Sequence, residues 1–221
     1  MSLAVRLRSA VCLLGRYPAL AGADLDVREG EIVLLSGANG AGKTTLLRVI
    51  AGLAPLYSGT GDVLGHDLTR DRRGARRALA LVGHDTFCYD DLTVRENLRF
   101  ASRAAGRPVA AGEAAIERVG LTRQGGVTHG RLSAGQRRRL ALAVALARQP
   151  RLLLLDEPHA GLDAAGRAVL DAVISAAPGE GRSVVLASHE LERARALAGR
   201  EVVLSAGRTT TGVAEPELLP T

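Results

Sequence analysis

The stretch from Glu31 to Ala51, EIVLLSGANGAGKTTLLRVIA, consists of an apolar strand, a glycine-rich loop and a helical segment in that order. Within it, residues 37–44 match the pattern G-x-x-x-x-G-K-[ST] without a substitution. This pattern is typical of a loop whose backbone N–H groups cradle a chain of phosphates. The alternative is an ordinary glycine-rich turn before a helix, and the order of strand, loop and helix argues against it.

The composition of this loop follows from what phosphate binding requires. Its glycines allow a tight turn that brings backbone N–H groups close to the phosphates. The helix that starts near Lys43 points its positive end at the same site, so Lys43 reaches the β and γ phosphates and the Thr44 hydroxyl binds Mg²⁺. We therefore predict a nucleotide site with Mg²⁺ that is formed by Gly37, Ala38, Asn39, Gly40, Ala41, Gly42, Lys43, Thr44 and Thr45.

The charge composition singles out the same lysine. The chain has 29 Lys and Arg residues in total, and Lys43 is the only lysine among them. At the protein surface, Arg and Lys can replace each other with little consequence. Among phosphates, however, a compact ammonium is not interchangeable with a planar guanidinium. The only lysine therefore stands where the chemistry of the loop requires one.

Length and composition favour one α/β domain. With 221 residues, of which 47% are apolar and only 2% aromatic, the core must consist mainly of Leu, Val and Ala. The net charge of +6 suggests nucleic acid or an anionic membrane, but arginines on solvated helix faces also explain it. Because few aromatics are available to stack on bases, we expect no nucleic acid partner. Cys12 and Cys88 form no metal-binding pattern, which is typical of a reducing compartment.

The sequence contains no pattern of a membrane span or a leader. No apolar run reaches the roughly 18 residues of a membrane helix, and residues 10–14 are too short a run for a signal-peptide core. We therefore expect a cytosolic protein, with any passage through a membrane belonging to a partner.

Strands and helices alternate along the chain. Residues 3–8 and 23–28 alternate apolar and polar positions, which predicts a small antiparallel β subdomain ahead of the core. Gly59 and Gly61 predict a turn. Four continuously apolar segments separated by helices predict a mostly parallel sheet with helices on both faces. These segments are residues 31–36, 78–82, 152–155 and 183–188.

Between residue 86 and about residue 135 the pattern becomes helical. Residues 92–105 and 110–119 have helical spacing, and a long amphipathic helix follows from Ser133 to Arg148. We predict a single domain over residues 1–221. Its parts are a core with the β subdomain, residues 1–85 and 136–221, and a helical insert, residues 86–135.

A run of four leucines, residues 152–155, ends in an acidic pair. Asp156 is placed to hold Mg²⁺ as the acidic partner of Thr44. Glu157 is placed to orient and deprotonate an attacking water. Taken alone, the pair also fits a surface turn after a strand.

Three further motifs complete a set that resembles a known family. Leu132-Ser133-Ala134-Gly135-Gln136 opens the long helix, Ala160-Gly161-Leu162-Asp163 follows the acidic pair, and His189 follows the strand at 183–188. With the phosphate loop, these motifs in this order resemble the ATP-binding-cassette (ABC) ATPases over essentially the whole chain. The resemblance implies a P-loop NTPase core and the hydrolysis of ATP with Mg²⁺.

The resemblance also implies a site shared by two copies. In this family two cassettes face each other head to tail, and each ATP lies between the phosphate loop of one and the LSGGQ-type helix start of the other. Without the neighbouring motifs, LSAGQ would instead favour a plain helix cap by Ser133. The ATP contacts implied for this helix start and the seam are Ser133, Gly135, Gln136 and Asp163. The implied catalytic residues are Lys43, Glu157 and, as a contact to the γ-phosphate, His189.

The chain departs from the family pattern in three places. Ala134 replaces one glycine of the LSGGQ pair. The place of the glutamine that usually links the Mg²⁺ site to the helical insert is taken by His84 or Asp85, either of which binds a metal or a water. The residue at the place of the adenine-stacking aromatic is Leu14, and the nearest aromatic is Tyr17.

Finer features resemble the haem-exporter ATPases of cytochrome c maturation. These are the Gly83-His84 pair, LSAGQ in place of LSGGQ, and the short chain. The resemblance implies a peripheral ATPase on the cytoplasmic face of the cell membrane, whose helical insert docks to an integral-membrane transporter subunit. Three alternatives stay open: a subunit of a drug or peptide exporter, a soluble ABC ATPase acting on nucleic acid or ribosomes, and a small-molecule kinase with the same loop.

Overall fold

Two β-sheets and the helices around them make up the computed structural model, which describes residues 2–83 and 86–212. The strands are β1 Leu3–Leu14, β2 Tyr17–Arg28, β3 Ile32–Ser36, β4 Ser58–Val63, β5 His66–Asp67, β6 Leu79–Val82, β7 Leu152–Asp156, β8 Ser183–Ala187, β9 Arg200–Ser205 and β10 Arg208–Gly212. The helices are α1 Lys43–Ile50, α2 Arg72–Arg76, α3 Val94–Ala104, α4 Val109–Arg118, α5 Ala134–Ala147, α6 Ala164–Ala176 and α7 Leu191–Leu197.

The larger sheet is mostly parallel, as the apolar segments predicted. Its strand order is β10-β9-β3-β8-β7-β6, and all neighbours pair in parallel except β10, which pairs antiparallel with β9. Parallel neighbours place their carboxyl ends at one edge of the sheet. The loops after β3, β7 and β8, which carry the predicted site residues, therefore start from neighbouring positions.

Both faces of this sheet are buried, which explains its uninterrupted apolar strands. Along β7, Leu153 and Leu155 enter a core formed with α5 and α6, while Leu152 and Leu154 enter a second core formed with α1 and the β subdomain. All four leucines are fully buried. The strand that ends in the acidic pair is therefore held from both sides.

The smaller sheet is antiparallel, with strand order β2-β1-β4-β5. Strands β1 and β2 are each 12 residues long and therefore extend beyond the predicted ranges 3–8 and 23–28. The turn predicted at Gly59 and Gly61 is wrong, because both glycines lie inside β4. A Cβ on Gly61 would lie 2.8 Å from a Leu7 methyl carbon, so the glycine permits close packing between strands instead.

The predicted helical region contains α3 and α4, which pack against each other and against α5. Helix α5 also packs against β6, so it contacts both the helical region and the sheet. Helix α2 lies in an arginine-rich segment that carries no apolar periodicity, and Asp71 caps it by accepting from the Gly74 N–H at 2.8 Å. None of the helices in the described part of the chain has both the length and the apolar character to cross a bilayer.

Candidate active site

The loop between β3 and α1 is supported by the hairpin of β9 and β10. Gly37 and Gly42 have φ values of 136° and 108°, which residues other than glycine rarely adopt. A Cβ on Gly37 would collide with the Leu204 carbonyl oxygen, and one on Gly42 would lie 2.6 Å from that of Ala19. Gly207 donates its backbone N–H to the Ala41 carbonyl at 3.1 Å. The loop backbone thus lies directly on β2 and on the hairpin.

Lys43 turns back over this loop. Its side chain is buried, and Nζ donates to the carbonyl oxygens of Gly37 at 2.7 Å and Ala38 at 3.1 Å. Residues 38–40 at the loop tip and Thr44 are exposed, whereas Thr45 is buried. The ammonium is therefore positioned beside an exposed loop tip, as phosphate binding requires.

The acidic pair follows β7 and meets the end of β8. Glu157 has a φ of 49°, a left-handed conformation that is strained for a residue other than glycine. Its backbone N–H donates to the Ala187 carbonyl at 2.9 Å. Its carboxylate oxygen Oε2 lies 2.6 Å from Nδ1 of His189 and accepts the His189 backbone N–H at 3.2 Å. The structure thus brings together two of the three predicted catalytic residues.

One cleft of about 820 Å³ connects the ends of these elements. Thr44, Asp156 and Glu157 line it on the sheet side, and Ala134 and Arg137 line it on the side of α5. A hydroxyl and a carboxylate are oxygen ligands of the kind that Mg²⁺ uses beside substrate phosphates. The residues present therefore fit the predicted metal, and the role of Thr44 and Asp156 as its ligands stays a prediction.

The start of α5 is a capping box. The Ser133 Oγ accepts from the Gln136 N–H at 3.2 Å, and the Gln136 side-chain oxygen accepts from the Ser133 N–H at 2.9 Å. Ser133 is exposed, and its hydroxyl hydrogen is not used by the cap. Asp163 likewise caps α6 by accepting from the Gly166 N–H at 2.8 Å. Ser133, Gln136 and Asp163 thus each stabilise a helix start, and their contact with ATP stays a prediction.

Arg138 is a site residue that the sequence did not indicate. Its guanidinium donates to the carbonyl oxygens of Gly83, Asp156 and Glu157. Burial lowers the pKa of Arg138, and the carboxylates of Asp156 and Glu157 oppose that shift. The sequence showed only three consecutive arginines, for which solvated helix faces were the simplest interpretation. Arg138 differs from its two neighbours because its side chain reaches the end of β7, which lies beneath α5. Only the fold reveals this contact.

The remaining predicted residues lie at the margins of the site. Leu14 and Tyr17 face each other at the turn end of the β1–β2 hairpin, and both are exposed. Ala19 lies two residues after Tyr17 on β2, and its carbonyl oxygen is the atom close to the position of a Cβ on Gly42. This hairpin end therefore adjoins the phosphate loop. His84 and Asp85, the predicted alternatives for the missing glutamine, lie outside the described residues.

A second concave surface lies beside the helical region. The chain has three tyrosines, two phenylalanines and no tryptophan, and all five aromatic side chains are at least half exposed. Tyr89 and Phe100 stack edge to face, with ring centroids 5.2 Å apart. With Phe87, Arg77 and Arg148 they line a groove of about 590 Å³, which we call the aromatic groove.

Comparison with known proteins identifies the family to which these features correspond. The ABC transporter family matches residues 20–160. The Cytochrome c biogenesis ATP-binding export protein CcmA of Bordetella bronchiseptica is 45% identical over 181 residues, which cover 80% of each chain. The Daunorubicin resistance ATP-binding protein DrrA3 of Streptomyces coeruleorubidus is 39% identical over 198 residues, 88% of this chain and 63% of that one.

Solved structures have the same fold. The structure of an ATP-binding subunit of an ABC transporter is 27% identical, superimposes with a TM-score of 0.87, and is matched over 95% of this chain and 90% of its own. A dimeric structure of the ATP-binding cassette MJ0796 in a post-hydrolysis state, bound to ADP and Pi, has a TM-score of 0.85 at 24% identity. It is matched over 94% of this chain and 98% of its own.

Proposed function

The chain belongs to the ABC transporter family, and on that premise we propose that it is the ATP-hydrolysing subunit of an exporter that serves cytochrome c biogenesis. One observation carries the enzymatic part of this proposal. Glu157 and His189 are joined at 2.6 Å beside a cleft that Thr44 and Asp156 also line. A candidate general base, a histidine that is hydrogen-bonded to it, and oxygen ligands for a metal thus lie next to a phosphate loop. These are the groups that phosphoryl transfer to water requires.

The residues of this site have separate roles in hydrolysis. The loop backbone and Lys43 bind the phosphates, and Tyr17, which is exposed at the hairpin end beside the loop, is the candidate to stack on adenine. Thr44 and Asp156 would hold Mg²⁺, which when bound would neutralise charge on the phosphates. Glu157 accepts a proton from the attacking water, and His189 orients the Glu157 carboxylate and contacts the γ-phosphate.

We propose that two copies complete each site. Ser133 is exposed at the positive end of α5, with a hydroxyl hydrogen free to donate, so it offers a phosphate contact to a facing molecule. The Asp163 turn lies beside this helix start, since the Gly161 carbonyl is 3.6 Å from the position of a Cβ on Gly135. A twofold arrangement would place both segments of one copy against the phosphate loop of the other.

A membrane subunit is the second partner. We propose that a cytosolic segment of that subunit docks in the aromatic groove, which would hold this chain at the cytoplasmic face of the membrane. Three exposed aromatic side chains offer an apolar contact, and Arg77 and Arg148 offer positive charge at its rim. The segment that fits this groove is therefore an amphipathic one with acidic residues.

The proposed cargo rests on the relatives. Two Bordetella proteins of the name Cytochrome c biogenesis ATP-binding export protein CcmA are each 45% identical over 80% of this chain. The resemblance of Gly83-His84 and LSAGQ to haem-exporter ATPases points the same way. We therefore propose haem as the exported molecule, and export of a drug is the alternative that the DrrA3 likeness favours.

Deletion of the gene in the source organism tests this function. We expect the strain to lose covalently bound haem in its c-type cytochromes, as seen by haem staining of denaturing gels, and to regain it when the wild-type chain is supplied. The Glu157→Gln variant should not restore it. Normal cytochromes with raised drug sensitivity in the deletion strain would instead support the alternative exporter. Purified wild-type protein that releases no phosphate from ATP would contradict the enzymatic proposal itself.

A further inference from the structure

Arg138 connects three backbone carbonyls that belong to two neighbouring strand ends. Gly83 directly follows β6, Asp156 is the last residue of β7, and Glu157 directly follows it. The guanidinium donates to Asp156 at 2.9 Å and to Glu157 at 2.6 Å, and it also donates to Gly83. Strands β6 and β7 are adjacent and parallel, so a single planar group spans both of their carboxyl ends.

The bond to Glu157 matters because of the backbone conformation of that residue. A φ of 49° is a strained backbone conformation for a residue other than glycine, and such strain persists only where the surroundings determine it. The Glu157 N–H is held by the Ala187 carbonyl, and its carbonyl is held by Arg138. These two bonds fix the peptide groups on either side of the residue, and thereby the direction in which its carboxylate leaves the chain.

The same arginine lies on the helix that Ser133 starts. Arg138 is five positions after Ser133, which corresponds to an axial rise of roughly 7.5 Å along an α-helix. Helix α5 packs against both α3 and α4 as well as against β6. A rigid element and one guanidinium therefore connect the Ser133 end of α5 to the Glu157 carbonyl.

We propose that Arg138 is a positioning residue that holds Glu157 in its strained conformation and links the Ser133 end of α5 to the catalytic carboxylate. This inference rests on the proposed role of Glu157 as the general base. The neighbouring arginines do not share the role. Among the described residues, the Arg137 guanidinium donates to the Gly130 carbonyl and that of Arg139 to the Val119 carbonyl, so neither of them bonds to a strand end.

Three variants test the inference. Arg138→Met keeps the length of the side chain and removes all its donors, Arg138→Lys keeps charge and some donors, and Arg139→Met is the matched control. Because a displacement of about 1 Å of a catalytic group costs on the order of 10²-fold in rate, we expect kcat of Arg138→Met to fall by about that factor. The Kd for MgATP should stay within about twofold, since the phosphate loop is untouched. Arg138→Lys should recover part of kcat.

The measurements are phosphate release, nucleotide affinity by calorimetry, and Tm for all variants and the wild type. An unchanged kcat in Arg138→Met with an active wild type would overturn the role of Arg138 alone. A parallel loss of kcat, ATP affinity and Tm in both methionine variants would overturn it too, because that pattern reports general destabilisation. If Arg138→Met does not fold, Arg138→Lys replaces it in the test: a reduced kcat would support the role of Arg138, and a wild-type kcat would overturn it. A wild-type protein without hydrolysis would overturn the proposed function and this inference with it.

Discussion

At the scale of single residues, the site depends on side chains that cannot be exchanged for chemically similar ones. The chain uses arginine at every basic position except residue 43. The Lys43 ammonium lies between two carbonyl oxygens of a tight loop, where a planar guanidinium has neither the size nor the geometry to lie. Glu157 is similarly specific, because its carboxylate binds His189 and only the ionised form accepts a proton.

We predict that Glu157→Gln slows ATP hydrolysis by about 10²–10⁴-fold, the usual contribution of a general base. The amide is nearly isosteric but accepts no proton from water, so ATP binding should persist and the ATP-bound dimer should accumulate. Phosphate release measures the first effect, and sedimentation velocity with MgATP measures the second. Glu192→Gln is the control, because Glu192 is exposed in α7 and outside the cleft. Normal turnover in Glu157→Gln would remove this residue from its role.

We predict that Lys43→Arg binds ATP about as poorly as Lys43→Ala does. Hydrogen bonds to a charged group contribute about 1.5–3 kcal/mol, which corresponds to roughly 10- to 100-fold in Kd. The larger guanidinium does not fit between the carbonyls of Gly37 and Ala38, so the positive charge alone should not restore binding. Titration with a fluorescent ATP analogue measures Kd. The control is Arg48→Lys, which makes the opposite exchange on the exposed face of α1 and should bind ATP as the wild type does. Wild-type affinity in Lys43→Arg would show that only charge matters there.

At the scale of elements, the sequence predicted the strands and helices whose patterns are local. The continuous apolar runs of β3, β7 and β8 identified the parallel sheet, and Ser133 identified the start of α5. The glycines of β4 were misread as a turn, because their cause is the close approach of β1, through the Arg8 and Ser9 carbonyls at Gly59 and the Leu7 side chain at Gly61. The support of the phosphate loop by β9 and β10 also joins residues far apart in sequence. Only contacts between distant segments could have revealed these features.

Two helices of similar design allow a prediction at this scale. Both α3 and α5 begin with a capping box, formed by Thr93 with Glu96 and by Ser133 with Gln136. Replacing either cap residue by alanine should cost about 0.5–2 kcal/mol in the free energy of unfolding. Only Ser133→Ala should in addition reduce ATP hydrolysis, because only that helix start is proposed to face a phosphate.

Chemical denaturation and phosphate release separate the two effects. Equal stability losses with hydrolysis reduced in Ser133→Ala alone would support a nucleotide contact. Equal hydrolysis rates in Ser133→Ala and Thr93→Ala would leave Ser133 as a helix cap and no more. Both variants lose the same cap bond at the same helical position, and Thr93→Ala additionally loses the bond that the Thr93 hydroxyl donates to the Glu96 carboxylate at 2.7 Å.

At the scale of the whole molecule, the core contains no aromatic side chain among the described residues. Aliphatic residues fill both sides of the large sheet, and every aromatic is at the surface. Exposing large apolar side chains is unfavourable for a protein alone in water, so a cluster of them indicates a partner. Three of the five lie in the aromatic groove, whereas Tyr57 is exposed outside it.

We predict that Phe100→Ala weakens the attachment of this chain to membranes that contain its partner, with little change in the hydrolysis rate of the isolated protein. Removal of an aromatic anchor from an interface costs about 2 kcal/mol or more, which corresponds to roughly 30-fold in affinity. Tyr57→Ala removes a ring that is more exposed than Phe100 and lies outside the groove, and it should bind as the wild type does. Arg77→Glu should also weaken attachment, because an acidic partner segment is then repelled. Cosedimentation with native membranes measures all three, and attachment of Phe100→Ala at the wild-type level would exclude the aromatic groove as the docking site.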